Sequence, residues 1–317
     1  MSLPWWAILL ICLAAFVVLN LLIFLLLVPS VVFYHTVYRS PKKKRTRECT
    51  NLMDEDQVKM FNEGIAWANQ YNDHRIRLEI ENDGLKLKGE YLDFGSKKCA
   101  VILQGRTESL LYSYYFAKPY AEMGYNILVV DLRAHGLSDG KYQTGGIKES
   151  DDIVKWVDYV QKRFNIESFV FHGICIGAAT SVYATLKMQE RGYPKVEKIV
   201  TDGLYMTYFE MFKKNFESFK KKAFPMLHLT FVLARIMTGI SFFKNKPIEA
   251  VAKLQCPILL IYSKEDIFCP KESSEKIFQQ VKNPQSELVF FPHGRHSHVR
   301  SMNTEEYDKK IKDFLLS

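Results

Sequence analysis

A cysteine stands midway between two glycines in "SFVFHGICIGAAT", residues 168–180, where an apolar run breaks abruptly at Gly173-Ile174-Cys175-Ile176-Gly177. A thiol so placed is either a nucleophile aimed by a sharp turn or an inert side chain held in one, since free cysteine also serves as a small core hydrophobe. The other five cysteines (Cys12, Cys49, Cys99, Cys256, Cys269) form no CxxC pair and no spacing typical of a metal site or a disulfide framework. A reducing compartment fits that usage. No P-loop, GxGxxG, HExxH or EF-hand pattern occurs, nor any internal repeat, so neither a metal nor an organic cofactor is expected.

A nucleophile needs a scaffold, and the composition provides for one: 317 residues, 48% hydrophobic and 25% charged, are enough for a large core. The first residues stand apart. From Trp5 to Val28 the only polar side chain is Asn20, which predicts a transmembrane helix over about 5–28 within an anchor of residues 1–40. A cleaved signal peptide would carry a basic residue before a shorter apolar core and a small-residue cleavage site, and neither is present. Six basic residues from Arg39 to Arg47, less Glu48, account for +5 of the net +8, leaving +3 for residues 49–317. That distribution argues against a nucleic-acid groove and for a juxtamembrane cluster that touches anionic headgroups. By the positive-inside rule it implies a single-pass protein, N-terminus outside and the large domain cytoplasmic. If the anchor only tethers, a chain cut to begin near Met53 folds and stays active.

Beyond a basic linker and helix over 41–75, the pattern alternates. "IRLEIENDGLKLKGEYLDF" reads as two antiparallel strands around Asn82-Asp83-Gly84. Six short apolar runs follow, at 99–104, 126–131, 168–173, 197–202, 257–262 and 287–291, separated by helical patterns such as 147–164 and 305–317. Strands alternating with helices predict a mostly parallel sheet covered on both faces, with function in the loops at its carboxyl ends. The connection at about 203–250 is too long for a simple crossover. Tyr205, Tyr208, Phe209, Phe212, Phe216 and Phe219 recur there at helical spacing, which predicts a cap helix, whose apolar side could cover an acyl site or lie on a membrane.

The segment "GYNILVVDLRAHGLSDG" at 124–140 resembles, nearly residue for residue, a signature of the α/β-hydrolase family, and in particular its serine-aminopeptidase-like and monoacylglycerol-lipase-like branch. "GICIGAAT" falls where that family places its G-x-S-x-G elbow, "PILLIYSKEDIFCP" resembles the strand and turn of the acidic triad member, and "FPHGRHSHVRS" resembles the histidine loop. The resemblance spans residues 76–317 and implies an α/β-hydrolase fold: a mostly parallel eight-stranded sheet flanked by helices, with a helical cap, behind one N-terminal transmembrane helix.

What the resemblance implies for the site is a triad of Cys175 as nucleophile, His296 as base and Asp266 as its orienting acid, with an oxyanion hole from the backbone N–H groups of Ile176 and Arg106. His296 and Asp266 are preferred by register over His293 and His298, expected at the surface, and over Glu265. Asp131, Arg133 and His135 are expected to brace their loop, and Asp202 to do likewise. Two departures stand out: Cys replaces Ser, and Gln104-Gly105 replaces a His-Gly pair. Cys-based members of this fold, the dienelactone hydrolases, exist, and a thiolate favours activated esters and thioesters over amides. The expectation is a membrane-anchored hydrolase of small-molecule esters or thioesters. The alternatives are a catalytically inactive hydrolase-fold scaffold and, third, a peptidase.

Overall fold

A computed structural model describes residues 3–39, 46–192 and 195–317. β1 (Arg75–Asn82) and β2 (Leu85–Leu92) form the antiparallel hairpin, and its turn residues Asp83 and Gly84 both have positive φ, as a two-residue turn matched to the strand twist requires. β3 (Lys98–Leu103), β4 (Asn126–Val130), β5 (Ser168–Ile174), β6 (Lys195–Asp202), β7 (Ile258–Ser263) and β8 (Glu287–Phe291) complete one eight-stranded sheet. Its order is β1-β2-β4-β3-β5-β6-β7-β8, with every pairing from β4 through β8 parallel. β4, β5 and β7 are buried along their whole length, which is why they read as unbroken apolar runs rather than alternating ones.

The helices that cover the sheet are α2 (Glu55–Asn69), α3 (Leu110–Ser113), α4 (Lys118–Glu122), α5 (Glu149–Phe164), α6 (Ile176–Glu190), α7 (Tyr208–Ser218), α8 (Met226–Thr238), α9 (Pro247–Val251), α10 (Lys271–Phe278), α11 (Val299–Met302) and α12 (Thr304–Leu316). α1 (Trp5–Thr36) precedes them and is long and apolar enough to cross a membrane. The aromatic stripe expected of one cap helix is divided. Tyr205 is buried ahead of α7, Phe219 is exposed past its end, and a second apolar helix, α8, follows. α7 and α8 are joined through Phe209, Phe212 and Phe231, whose ring centroids lie 5.6–6.1 Å apart across the pair.

α1 is packed in part against the rest of the fold. It runs eight residues past Val28, and from Leu25 to Thr36 one of its sides is shielded, with Pro29 and Phe33 buried. α8 packs there, and the Thr230 hydroxyl donates to the Pro29 carbonyl at 3.4 Å. The chain then enters the domain: Val37 is buried, its carbonyl accepts from Gln143 N–H at 3.0 Å, and Arg39 N–H donates to the Lys141 carbonyl at 2.7 Å. The expectation that the basic cluster serves lipid is therefore corrected at two positions. Arg39 is buried with its guanidinium on the Ala134 carbonyl at 3.4 Å, and Arg47 bridges Asp131 at 2.9 Å and Glu90 at 2.7 Å. Two carboxylates that deep need a cationic partner, and Arg47 lies on the fold for that electrostatic reason. Lys42, Lys43, Lys44 and Arg45 lie outside the described residues.

Candidate active site

β5 ends in Ile174 and α6 begins at Ile176, so the whole reversal falls on Cys175, whose φ of 53° and ψ of −110° lie outside the ordinary regions of an L-residue. The two flanking glycines make this possible. A Cβ at Gly173 would sit 2.2 Å from the Gly177 carbonyl oxygen, and one at Gly177 would sit 2.2 Å from that of Leu103. The elbow is pinned from β6 by Cys175 N–H donating to the Asp202 carbonyl at 2.9 Å. As the first residue of α6, Ile176 has no helical acceptor behind it, and no hydrogen bond among the described residues claims its N–H at the positive end of the helix.

The loop after β3 faces the elbow. Gly105 N–H donates to the Glu108 carboxylate at 2.8 Å, and the Arg106 carbonyl meets His135 Nε2 at 2.6 Å, while no hydrogen bond among the described residues claims the Arg106 N–H. Gln104 takes no part in the pocket. With its amide oriented to suit both neighbours, it donates to the Val130 carbonyl at 2.7 Å and accepts from Leu132 N–H at 3.0 Å, tying the end of β3 to that of β4. Asp131 receives Leu110 N–H and Leu137 N–H, at 2.9 and 3.0 Å, and Arg133 pairs with buried Asp152 at 2.6 Å. All three residues of the 131–135 group brace the loops, as their sequence implied.

Asp266 follows β7 and His296 follows β8, and the structure brings them together: His296 Nδ1 lies 2.7 Å from Asp266 Oδ2. The other Asp266 oxygen accepts from Phe268 and Cys269 N–H at 2.8 and 2.9 Å. Burial would raise the Asp266 carboxyl, but His296 and these donors outweigh it and hold it below the usual carboxylate range. Burial likewise opposes charge on His296, yet Asp266 beside it holds the imidazole well above its ordinary value. His296 Nε2 is buried and has no hydrogen-bond partner among the described residues. It shares a cavity of about 170 Å³ with Cys175. Glu265 is turned outward onto His293 and Gly294, and His293 is exposed with it.

His298 is a correction: expected at the surface, it is buried and lines the same cavity, its Nδ1 on the His296 carbonyl at 2.8 Å and its Nε2 without a partner. A turn through Ser297, φ 65°, swings it inward. With Gln57 of α2 and Glu108 it forms a polar wall; burial raises the Glu108 carboxyl. Met211, Phe212 and Phe268 contribute the apolar part of the lining. Sequence reasoning missed Gln57 and Glu108. Glu108, inside a glycine-bearing loop after a buried strand, carried a faint signal, whereas Gln57 lies on a distant helix and carried none. The donor atoms of Asp266, Cys269 and His296 fall within 4.8 Å of one another and could hold a thiophilic cation. The histidine and carboxylate are already joined, however, and burial pushes the Cys269 thiol up to about 12. A larger cleft of about 690 Å³ lies at the opposite end of the sheet, against Lys195–Lys198, with no histidine in its lining.

Along the sheet, Cys175 follows β5, Asp266 follows β7 and His296 follows β8. A model of the alpha/beta hydrolase fold matches residues 101–226, and one of the dienelactone hydrolase family matches residues 228–314. The chain has the α/β-hydrolase fold. Among solved structures this hydrolase-fold chain is similar to the Pyrococcus furiosus esterase Pf2001, at 24% identity and a TM-score of 0.62 over 76% of this chain and 91% of that one. Among curated proteins it is similar to YqkD of Bacillus subtilis, 24% identical over 73% of this chain and 76% of that protein. It also resembles the lysophosphatidylserine lipase ABHD12 of Danio rerio, 20% identical over 53% of this chain and 43% of that protein. These likenesses support a hydrolase.

Proposed function

We propose that the protein is a membrane-anchored esterase or thioesterase working through Cys175, His296 and Asp266. The observation that carries the reading is that the strained Cys175 lines the same cavity as His296, whose Nε2 has no hydrogen-bond partner among the described residues and whose Nδ1 is held by Asp266. His296 Nε2 takes the Cys175 thiol proton, and Sγ attacks the ester carbonyl carbon. The resulting oxyanion is met by the N–H groups of Ile176 and Arg106. His296 then protonates the departing alcohol or thiol, leaving an acyl thioester on Cys175. Water gives a proton to His296 and adds its oxygen to the acyl carbon. Cys175 leaves, regains the proton, and the carboxylic acid departs. Free enzymes commonly hold such groups loosely and tighten them around substrate. A lining that is part apolar and part polar suits an apolar acyl chain joined to a small polar group. In this reading α1 is the span, supported by its length and apolar composition, and the domain is cytoplasmic, supported by the basic residues that follow the span.

The test is turnover of p-nitrophenyl esters and acyl thioesters across chain lengths. Cys175→Ala and His296→Ala should each lower kcat by more than about a thousandfold, since residues acting as a unit fail together. Cys175→Ser should retain part of the oxoester activity. Unchanged turnover in Cys175→Ala would return the protein to the inactive-scaffold reading.

A further inference from the structure

One face of α8 is apolar yet uncovered. Val232, Ile236 and Met237 are 50%, 74% and 47% exposed, and in the turn before the helix Phe219 and Phe224 are 68% and 73% exposed. A helix on the outside of a water-soluble domain carries polar residues there. Between the two phenylalanines stand Lys220, Lys221 and Lys222, all exposed and in no ion pair among the described residues.

α1 indicates what covers the patch. The twenty residues from Trp5 to Phe24 are exposed save for half-buried Ala7. At about 1.5 Å per residue they measure roughly 30 Å, the thickness of a bilayer's hydrocarbon core. Shielding begins only at Leu25, on the side where α8 packs and where Thr230 reaches Pro29. If the uncovered stretch Trp5–Phe24 is the part in hydrocarbon, Pro29 lies about 7 Å farther along the helix axis, within the headgroup layer.

We propose that α8 and the 219–225 turn dock into the adjacent leaflet of an anionic bilayer. The apolar side chains enter the headgroup and acyl boundary, and Lys220–Lys222 meet phosphatidylserine-like headgroups. Each lysine favours an anionic surface by roughly fivefold, so the three shift docking by of order a hundredfold. The docked cap places α7, which supplies Met211 and Phe212 to the catalytic cavity, beside the leaflet that would hold an apolar ester. This inference rests on the reading of α1 as a span.

The full chain, reconstituted in phosphatidylcholine vesicles with and without phosphatidylserine, allows a test by lipids brominated near the headgroup. The emission added by Ile236→Trp should be quenched, more strongly with phosphatidylserine present. Added emission that escapes quenching while Trp5 and Trp6 are quenched overturns the docking and leaves the span intact; escape of all three overturns both. As a second arm, Lys220→Glu, Lys221→Glu and Lys222→Glu together should lower hydrolysis of an ester carried in phosphatidylserine vesicles more than tenfold, with a soluble p-nitrophenyl ester unaffected. No change, or an equal fall for both substrates, counts against the proposal.

Discussion

Replacing Asp202 by Asn should stabilise the protein progressively as pH rises, because this carboxyl is buried with too few partners. At the end of β6 one oxygen accepts from the Tyr307 hydroxyl at 3.0 Å, and the other is buried with no partner among the described residues. Tyr307 in turn meets His172 Nε2 at 3.1 Å, and burial pushes that imidazole down to about 3, leaving it neutral. Burial pushes Asp202 itself up from 3.8 to about 7; Tyr307 and His296 oppose the shift, while Asp266 and Glu108 add to it. The native state thus keeps a proton that the unfolded chain releases near pH 4. Stability from this group is full below the unfolded value and is lost as pH rises to about 7, by about 1.4 kcal/mol per unit and about 4 kcal/mol in all. Asparagine cannot lose that proton. Whatever it costs in unmet hydrogen bonds is the same at every pH, so the diagnostic is the difference between variant and wild type. Urea unfolding of the full chain in detergent between about pH 4 and pH 8 should show it growing and then levelling near neutrality. A difference flat across that range would refute the reasoning.

Three further outcomes test other parts of the structure. Gly177→Ala drives a Cβ to 2.2 Å from a backbone oxygen of β3 and should cost at least the upper end of about 1–3 kcal/mol in thermal unfolding. Gly192→Ala, where φ is positive but nothing lies within 4 Å, should cost only about 1 kcal/mol. Arg47→Ala strips Asp131 and Glu90 of a shared partner and should lower stability by on the order of 3 kcal/mol, so a chain starting at Met53 should be less stable than the full one. His298→Ala should cut kcat/KM roughly tenfold, the worth of one buried hydrogen bond to substrate, while His293→Ala on the exposed side of the same loop leaves it unchanged.

The strands and the sharp turn at Cys175 were legible in the chain because each rests on local chemistry, whereas the proposed order of Cys175, Asp266 and His296 came from the family resemblance. Buried strands must be apolar throughout, and a reversal as sharp as that at Cys175 must be flanked by residues without a Cβ. The run from Trp5 was legible for the same reason, since its only polar side chain is Asn20. What spacing could not show were the contacts between residues far apart in the chain. Arg47 looks like part of a lysine-rich flank, yet it meets Asp131 eighty-four residues on. Thr230 reaches Pro29 across 201 residues, and Gln57 reaches Glu108 across 51. His298 looks like its neighbour His293 until the positive φ of Ser297 turns it inward. Periodicity records which side of an element is buried, whereas the partner that buries it, and the charge it meets there, depend on which elements the sheet brings together.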